Sequence, residues 1–103
     1  MSEEASSPED VFSQVLWRSG RAKICARRGE LEEAEALARD AVALAEKTDL
    51  LNTQGDTLAD LAEVLALAGR AAEAAAVLQQ AAEVFEHKGN LASLARVRAL
   101  APA

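Results

Sequence analysis

The chain has 103 residues, half of them hydrophobic, which is enough for one domain and excludes an intrinsically disordered protein. Alanine supplies 25 residues and leucine 14, whereas valine and isoleucine together supply eight, so a mainly β fold is excluded. The formal net charge of −6 argues against a nucleic-acid partner, and no uncharged stretch reaches the roughly 18 residues that a membrane span needs.

Five helices are predicted in chain order, at about 8–28, 31–47, 52–68, 71–88 and 91–100. The first follows a helix-start signal in which Ser7 is the cap and Asp10 is the acid of a capping box. Gly29, Gly69 and Gly89 each follow a helical pattern, so we expect them in the left-handed conformation just past a helix end. The short connections predict that neighbouring helices are antiparallel.

The sequence repeats itself at a spacing of forty residues. This shift places Gly29 on Gly69, Ala34 on Ala74 and Ala41 on Ala81. We therefore predict a polar lead followed by two helix-pair units and a final helix, at 1–7, about 8–48, about 49–88 and about 90–101. In each pair the apolar residues recur at three- and four-residue steps and form one stripe per helix. A single pair cannot bury its stripe alone, so stacking of the two units is predicted.

The second helix of each unit carries a family signature, Gly-x4-Ala-x3-small or apolar-x2-Ala. It stands here as Gly29…Ala34…Ala38…Ala41 and as Gly69…Ala74…Leu78…Ala81, and it resembles the tetratricopeptide repeat. The resemblance implies an all-α, TPR-like helical-repeat array in a single domain over residues 8–103. Two helix hairpins and one C-terminal capping helix would form a right-handed α–α superhelix. The period exceeds the family's typical 34 residues and so implies longer helices. A plain helical bundle with coincidental repeats is the alternative architecture.

A narrower resemblance covers much of the chain. The segments 14–18, 22–23, 26–35, 60–65 and 87–90 are similar to the C-terminal repeat tail of large bacterial regulators. Those regulators combine an ATPase module with, often, an adenylate/guanylate-cyclase-type domain. The resemblance implies a cytoplasmic, signalling-related fragment or short relative. A phosphate-binding G-x4-G-K-[ST] loop does not occur in the sequence.

No residues form a recognisable catalytic set. His87 and Cys25 are the only histidine and cysteine, and neither has a partner at ligand spacing, so we expect no metal site and no cofactor. Cys25 is interpreted as a small buried residue, and His87 as a residue whose partial positive charge suits a helix C-terminus. Without a nucleophile, base and orienting group, the sequence predicts neither an enzyme nor a small-molecule substrate.

The family resemblance places a concave groove along the first helix of each pair. Carried over by position, the lining residues are Leu16, Lys23, Arg27, Asp56, Glu63, Leu67 and Arg96. Apolar anchors beside charges would suit a peptide or a partner helix. The alternative interpretation is that Lys23 and Glu63 only form an ordinary surface ion pair across adjacent helices.

Trp17 and Ile24 define a second candidate surface, which we call the Trp17 face. They are seven residues apart and therefore share one side of the first helix, opposite the buried stripe. In a longer array this side would meet a preceding repeat, so the tryptophan is expected to be exposed, covered by its own terminus or buried by a second copy. The predicted function is a scaffold for protein contacts, with homodimerisation or regulation of a linked ATPase or cyclase as alternatives.

Overall fold

The computed structural model describes residues 8–48 and 50–100. It contains α1 (Pro8–Arg27), α2 (Leu31–Glu46), α3 (Leu51–Leu67), α4 (Ala71–Lys88) and α5 (Leu91–Leu100). All five predicted helices are confirmed, each end within one residue of its expected position, and no strand occurs in these ranges. The predicted polar lead, the caps by Ser7 and Asp10, and the end of the domain past Leu100 lie outside what the structure describes.

The turn inside each hairpin is built the same way twice. Gly29 and Gly69 have φ angles of +84° and +80°, as predicted. The next residue in each case donates its backbone N–H to the carbonyl five positions earlier, from Glu30 to Cys25 and from Arg70 to Leu65, both at 2.9 Å. Glycine adopts this conformation without strain. The two hairpins therefore have the same turn at equivalent positions, forty residues apart.

A different turn joins the two units. The Thr48 hydroxyl donates to the carbonyl of Ala45 at 2.8 Å and accepts the N–H of Leu50 at 3.1 Å. The Gln54 side chain then donates to the Thr48 carbonyl at 2.8 Å. In this turn, which contains no glycine, side chains of Thr48 and Gln54 therefore form the hydrogen bonds with the backbone groups.

The order of packing identifies an array and not a bundle around one centre. Helix α1 packs on α2, and α3 packs on α4, on α2 and on α1, while α5 packs on α4. The Cα atoms span 48 × 34 × 16 Å, which is a slab two helices thick. The all-α repeat architecture is therefore confirmed, and the plain bundle considered as its alternative is wrong.

Small residues form the core between the helices. The buried face of α2 consists of alanines, and that of α4 adds larger side chains to alanine. The residues concerned are Ala34, Ala38, Ala41 and Ala45 in α2, and Ala74, Leu78, Ala81, Ala82 and Phe85 in α4. Alanine lets two helix backbones approach closely, and Leu65 and Phe85, both fully buried, fill the remaining space.

Gly55 is a core contact that the sequence analysis did not anticipate. It lies in α3 against the ring of Phe85, and a Cβ atom placed on it would stand 2.5 Å from that ring. The aromatic residue therefore fits only because the facing helix offers no side chain there.

A four-residue ion-pair network joins α2 to the start of α4. Arg39 Nε lies 2.7 Å from a Glu35 carboxylate oxygen, and Arg70 Nε lies 2.6 Å from Glu73. Arg70 also contacts Glu35 across the two units. The hydrogen bonds from Arg70 and then from Arg39 lower the pKa of Glu35, and the hydrogen bond from Arg70 lowers the pKa of Glu73.

Candidate functional site

The first helices of the units lie side by side, and ion pairs bridge them. Lys23 of α1 reaches Asp60 of α3 at 3.3 Å, and Arg27 reaches Glu63 at 3.8 Å. On the other side of α3, Arg96 of α5 donates to Asp56 at 3.2 Å. Basic side chains of α1 and α5 thus flank acidic side chains of α3.

These pairs involve most of the predicted groove residues. Four of the seven form two direct pairs, Arg27 with Glu63 and Arg96 with Asp56. Lys23 is also paired, but its partner is Asp60 and not Glu63 as the alternative interpretation expected. The sequence analysis missed Asp60, although an acid four residues after Asp56 shares its helix face and could have indicated it.

Asp60 is the most shielded acid of this surface. Burial raises its pKa above the usual range of an aspartate, and the nearby Lys23 ammonium opposes part of that rise. Desolvation thus disfavours the charged form of this carboxylate, and the ion pair with Lys23 favours it. This Asp60–Lys23 pair contributes to the packing of α1 on α3 as well as to the charge of the surface.

The two predicted apolar groove residues do not take part in these pairs. Leu16 and Leu67 are both exposed. They are the only two apolar members of the predicted groove set, and its five charged members are already paired.

The Trp17 face is exposed along α1. Trp17 and Ile24 each keep 56% of their surface accessible. The Arg18 guanidinium lies 5.4 Å from the centre of the indole ring, and Ser13 and Gln14 border the same shallow depression. Of the three expectations for this tryptophan, exposure is the one that the described part of the chain shows.

The exposure of the Trp17 face differs from that of the equivalent face in the second unit. Forty residues after Trp17 and Ile24 stand Thr57 and Val64 of α3. These equivalents are 2% and 0% exposed, because α1 and α2 cover them. The face that is buried at the junction of the two units is therefore open on α1.

Two of the other clefts among the described residues are relevant here. One, of about 350 Å³, opens between α3, α4 and α5 and is lined by alanines together with Leu78, Leu100 and Glu63. It arises because α5 has 10 residues where α3 has 17, so α5 covers only part of the second hairpin.

The other cleft, of about 300 Å³, lies between α2, α3 and α4 and includes His87 with Glu46 and Glu83 on its rim. His87 lies in the last turn of α4, as expected. Its presence beside two carboxylates in this cleft was not anticipated. The imidazole makes no hydrogen bond to either carboxylate among the described residues.

The hairpin turn of the first unit gathers three potential ligand atoms. The Cys25 sulfur and the carboxylates of Glu30 and Glu33 lie within 4.8 Å of one another, which the sequence spacing did not reveal. Cys25 itself is buried, as predicted. Burial and then the nearby Glu33 raise the pKa of its thiol, which favours the protonated form, whereas a metal ion needs the thiolate.

Comparison with known proteins gives one match. A family model described as "Tetratricopeptide repeat" matches residues 13–87, which include α2, α3 and most of α1 and α4. No curated protein and no solved structure matches the chain. In residues 8–48 and 50–100, no helix combines the length and the apolar character that crossing a membrane requires.

Proposed function

Because the chain belongs to the tetratricopeptide repeat family, whose members generally mediate contacts between proteins, we propose that it is a non-catalytic protein interaction module that works through the Trp17 face. One observation carries this proposal. Trp17 and Ile24 are open, whereas the residues at the same repeat positions of α3 are buried by neighbouring helices. The partner would cover α1 as one unit of the array covers the next.

The test is affinity capture of the partner from extracts of the source cell. Trp17→Ala should weaken capture by about 30-fold or more, because a tryptophan at the centre of an interface typically contributes about 2 kcal/mol or more. Ile24→Ala should weaken it less. Leu91→Ala is the matched control, since Leu91 is also an exposed apolar residue but lies on α5. Undiminished capture by Trp17→Ala and Ile24→Ala together would contradict the use of this face.

The concave groove remains a second candidate binding site for a peptide or a partner helix. It is supported by the exposure of Leu16 and Leu67. Replacing both by alanine disturbs no ion pair and is therefore a cleaner test than Lys23→Glu, which would also break the contact with Asp60. If the groove is used, this double variant loses the partner while Trp17→Ala keeps it.

Self-association is the alternative function, because a second copy could also cover an exposed tryptophan. Multi-angle light scattering over a wide concentration range distinguishes the two cases. A dimer that Trp17→Ala dissociates would favour a structural homodimerisation domain, and a strict monomer at the highest concentration would exclude it.

We also propose a cytoplasmic role beside an ATPase or cyclase-type regulator, on the resemblance of segments 14–18, 22–23, 26–35, 60–65 and 87–90 to such repeat tails. A reading frame that continues upstream of Met1 into a nucleotide-binding domain would support this role. An in-frame stop codon directly upstream would contradict the fused arrangement. Cell fractionation tests the location.

A further inference from the structure

The charge around the Trp17 face is one-sided. Between Trp17 and Arg28 the chain carries five basic residues and no acidic one. Lys23 and Arg27 are paired with acids of α3. Arg21 and Arg28 form no ion pair with any side chain that the structure describes. Neither arginine therefore has a described acid within ion-pair distance, although Glu30 and Glu33 lie beside Cys25 at the same end of α1.

Arg21 and Arg28 have the same spacing from the two apolar residues of the Trp17 face. Arg21 follows Trp17 by four residues on α1, and Arg28, in the turn just after α1, follows Ile24 by four and donates its backbone N–H to the Ile24 carbonyl at 3.2 Å. Each large apolar residue thus has an arginine one helical turn after it. Arg18 lies over the indole ring itself. The surface is thus an apolar strip of two anchors, seven residues apart, with a basic edge.

We infer that the partner of the Trp17 face is an acidic amphipathic helix. Its apolar side would cover Trp17 and Ile24, and its flanking carboxylates would reach Arg21 and Arg28. This inference rests on the proposed function and names the class of partner. The molecule contains a precedent, because the opposite flank of α1 already packs against an amphipathic helix, α3, whose Asp60 and Glu63 meet Lys23 and Arg27.

The same charges oppose a symmetric pairing of two copies. A two-fold contact places the same patch on both sides of the interface, so arginines of one α1 would face arginines of the other. Like charges brought together at an interface suppress that pairing. The basic edge therefore selects an acidic partner over a second copy.

Trp17 makes the test direct, because it is the only tryptophan of the chain and its emission reports on this face alone. The probes are two synthetic amphipathic peptides without tryptophan, identical in their leucine and alanine face, one with glutamate and one with lysine on the flanks. The glutamate peptide should shift the emission to the blue in a saturable way, and high salt should weaken the effect. The lysine peptide should not shift it.

Charge variants of the full chain complete the test. Arg21→Glu with Arg28→Glu should weaken binding of the glutamate peptide about tenfold or more. Lys47→Glu with Lys88→Glu is the matched control, since it makes the same charge change at the ends of α2 and α4 and should leave binding nearly unchanged. If circular dichroism shows that the arginine reversal disturbs α1, the neutral pair Arg21→Gln with Arg28→Gln should still give a several-fold loss.

Three results would overturn the inference. Equal blue shifts with both peptides would show an apolar surface without charge preference, which leaves the proposed function intact. A concentration-dependent blue shift without any peptide would identify a second copy as the occupant. No shift with either peptide would exclude an amphipathic helix at this face, and the capture experiment with Trp17→Ala would then decide separately whether the face is used at all.

Discussion

Gly55 is the fifth residue of α3, inside the helix, where glycine lowers helix stability by roughly 1 kcal/mol relative to alanine. The ring of Phe85 occupies the space that a side chain would need. Because the Phe85 ring is fully buried, it can make room for a side chain only by disturbing the core around it, and this cost outweighs the gain in helix propensity. The glycine is thus a packing requirement of the second hairpin.

We predict that Gly55→Ala lowers the free energy of unfolding by about 1–2 kcal/mol, because overpacking exceeds the gain in propensity. Gly20→Ala is the control: Gly20 is also helical, with nothing within 4 Å of its missing Cβ, and this change should stabilise by about 0.5–1 kcal/mol. Urea unfolding of both variants measures the difference. A Gly55→Ala variant more stable than the parent would refute the Phe85 explanation.

Ser19 is a second residue whose unfavourable contribution to stability is visible only in the folded structure. It is buried in α1, and its hydroxyl has no hydrogen-bond partner among the described residues. A buried polar group without a partner is unfavourable. The residue forty positions later is Ala59, so the second unit avoids the problem.

Ser19→Ala should therefore raise the free energy of unfolding by about 1 kcal/mol, through removal of the unsatisfied hydroxyl and a gain in helix propensity. Ser13→Ala, at an exposed position of the same helix, should change it by less than about 0.5 kcal/mol. Thermal unfolding of the parent and of both variants measures these differences in stability. Destabilisation by Ser19→Ala would mean that the hydroxyl has a partner in solution.

At the scale of elements, the Arg39–Glu35–Arg70–Glu73 network connects α2 to α4 across the boundary between the units. The pKa values of Glu35 and Glu73 are lowered in the folded chain, below the 4.5 of a free glutamate. Such groups stabilise the fold above the unfolded pKa, and that contribution is lost as the pH falls through their folded pKa values. Asp60 acts in the opposite sense. Its pKa is raised by burial, so its protonation at low pH removes the unfavourable free energy of a buried charge.

We predict that stability falls as the pH drops below about 4.5 and that Arg70→Gln makes this fall shallower, because both glutamates then lose their main partner. At neutral pH the same variant should melt at a lower temperature than the parent. Melting temperatures across pH 3 to 7 test both points. Arg98→Gln removes a long contact to Glu86 on the exposed surface and serves as control, with an unchanged pH profile expected.

The whole molecule is a linear stack, so its parts differ in how strongly they are held. Helix α3 contacts three other helices, whereas α5 packs mainly on α4 and buries only Leu94 and Val97. In such an array, stability is approximately a sum over neighbours. We expect the end helix to open before the centre does.

Native-state hydrogen exchange tests this order. Leu65→Ala removes a fully buried side chain of α3 and should destabilise all helices together by about 2–5 kcal/mol. Leu94→Ala should speed exchange in α5 and leave α1 to α3 nearly as protected as in the parent. Equal loss of protection throughout the chain in Leu94→Ala would indicate one undivided cooperative unit.

Local rules determined much of this protein from the sequence alone. The five helices, their ends and the left-handed glycines follow from apolar spacing and turn chemistry, which act within a few residues. The forty-residue repeat then indicated the stacking, because equivalent stripes such as Ala34 and Ala74 must be buried in equivalent ways. The family followed from the same residues.

Only the tertiary structure decided which side chains meet. Lys23 pairs with Asp60 and not with Glu63, since a shift of one helical turn between α1 and α3 changes the partner without changing either helix pattern. Likewise, Gly55 beside Phe85 and the contrast between open Trp17 and buried Thr57 depend on helix-to-helix register. Register is fixed by the packing of whole faces, and no short stretch of sequence contains both sides of such a contact.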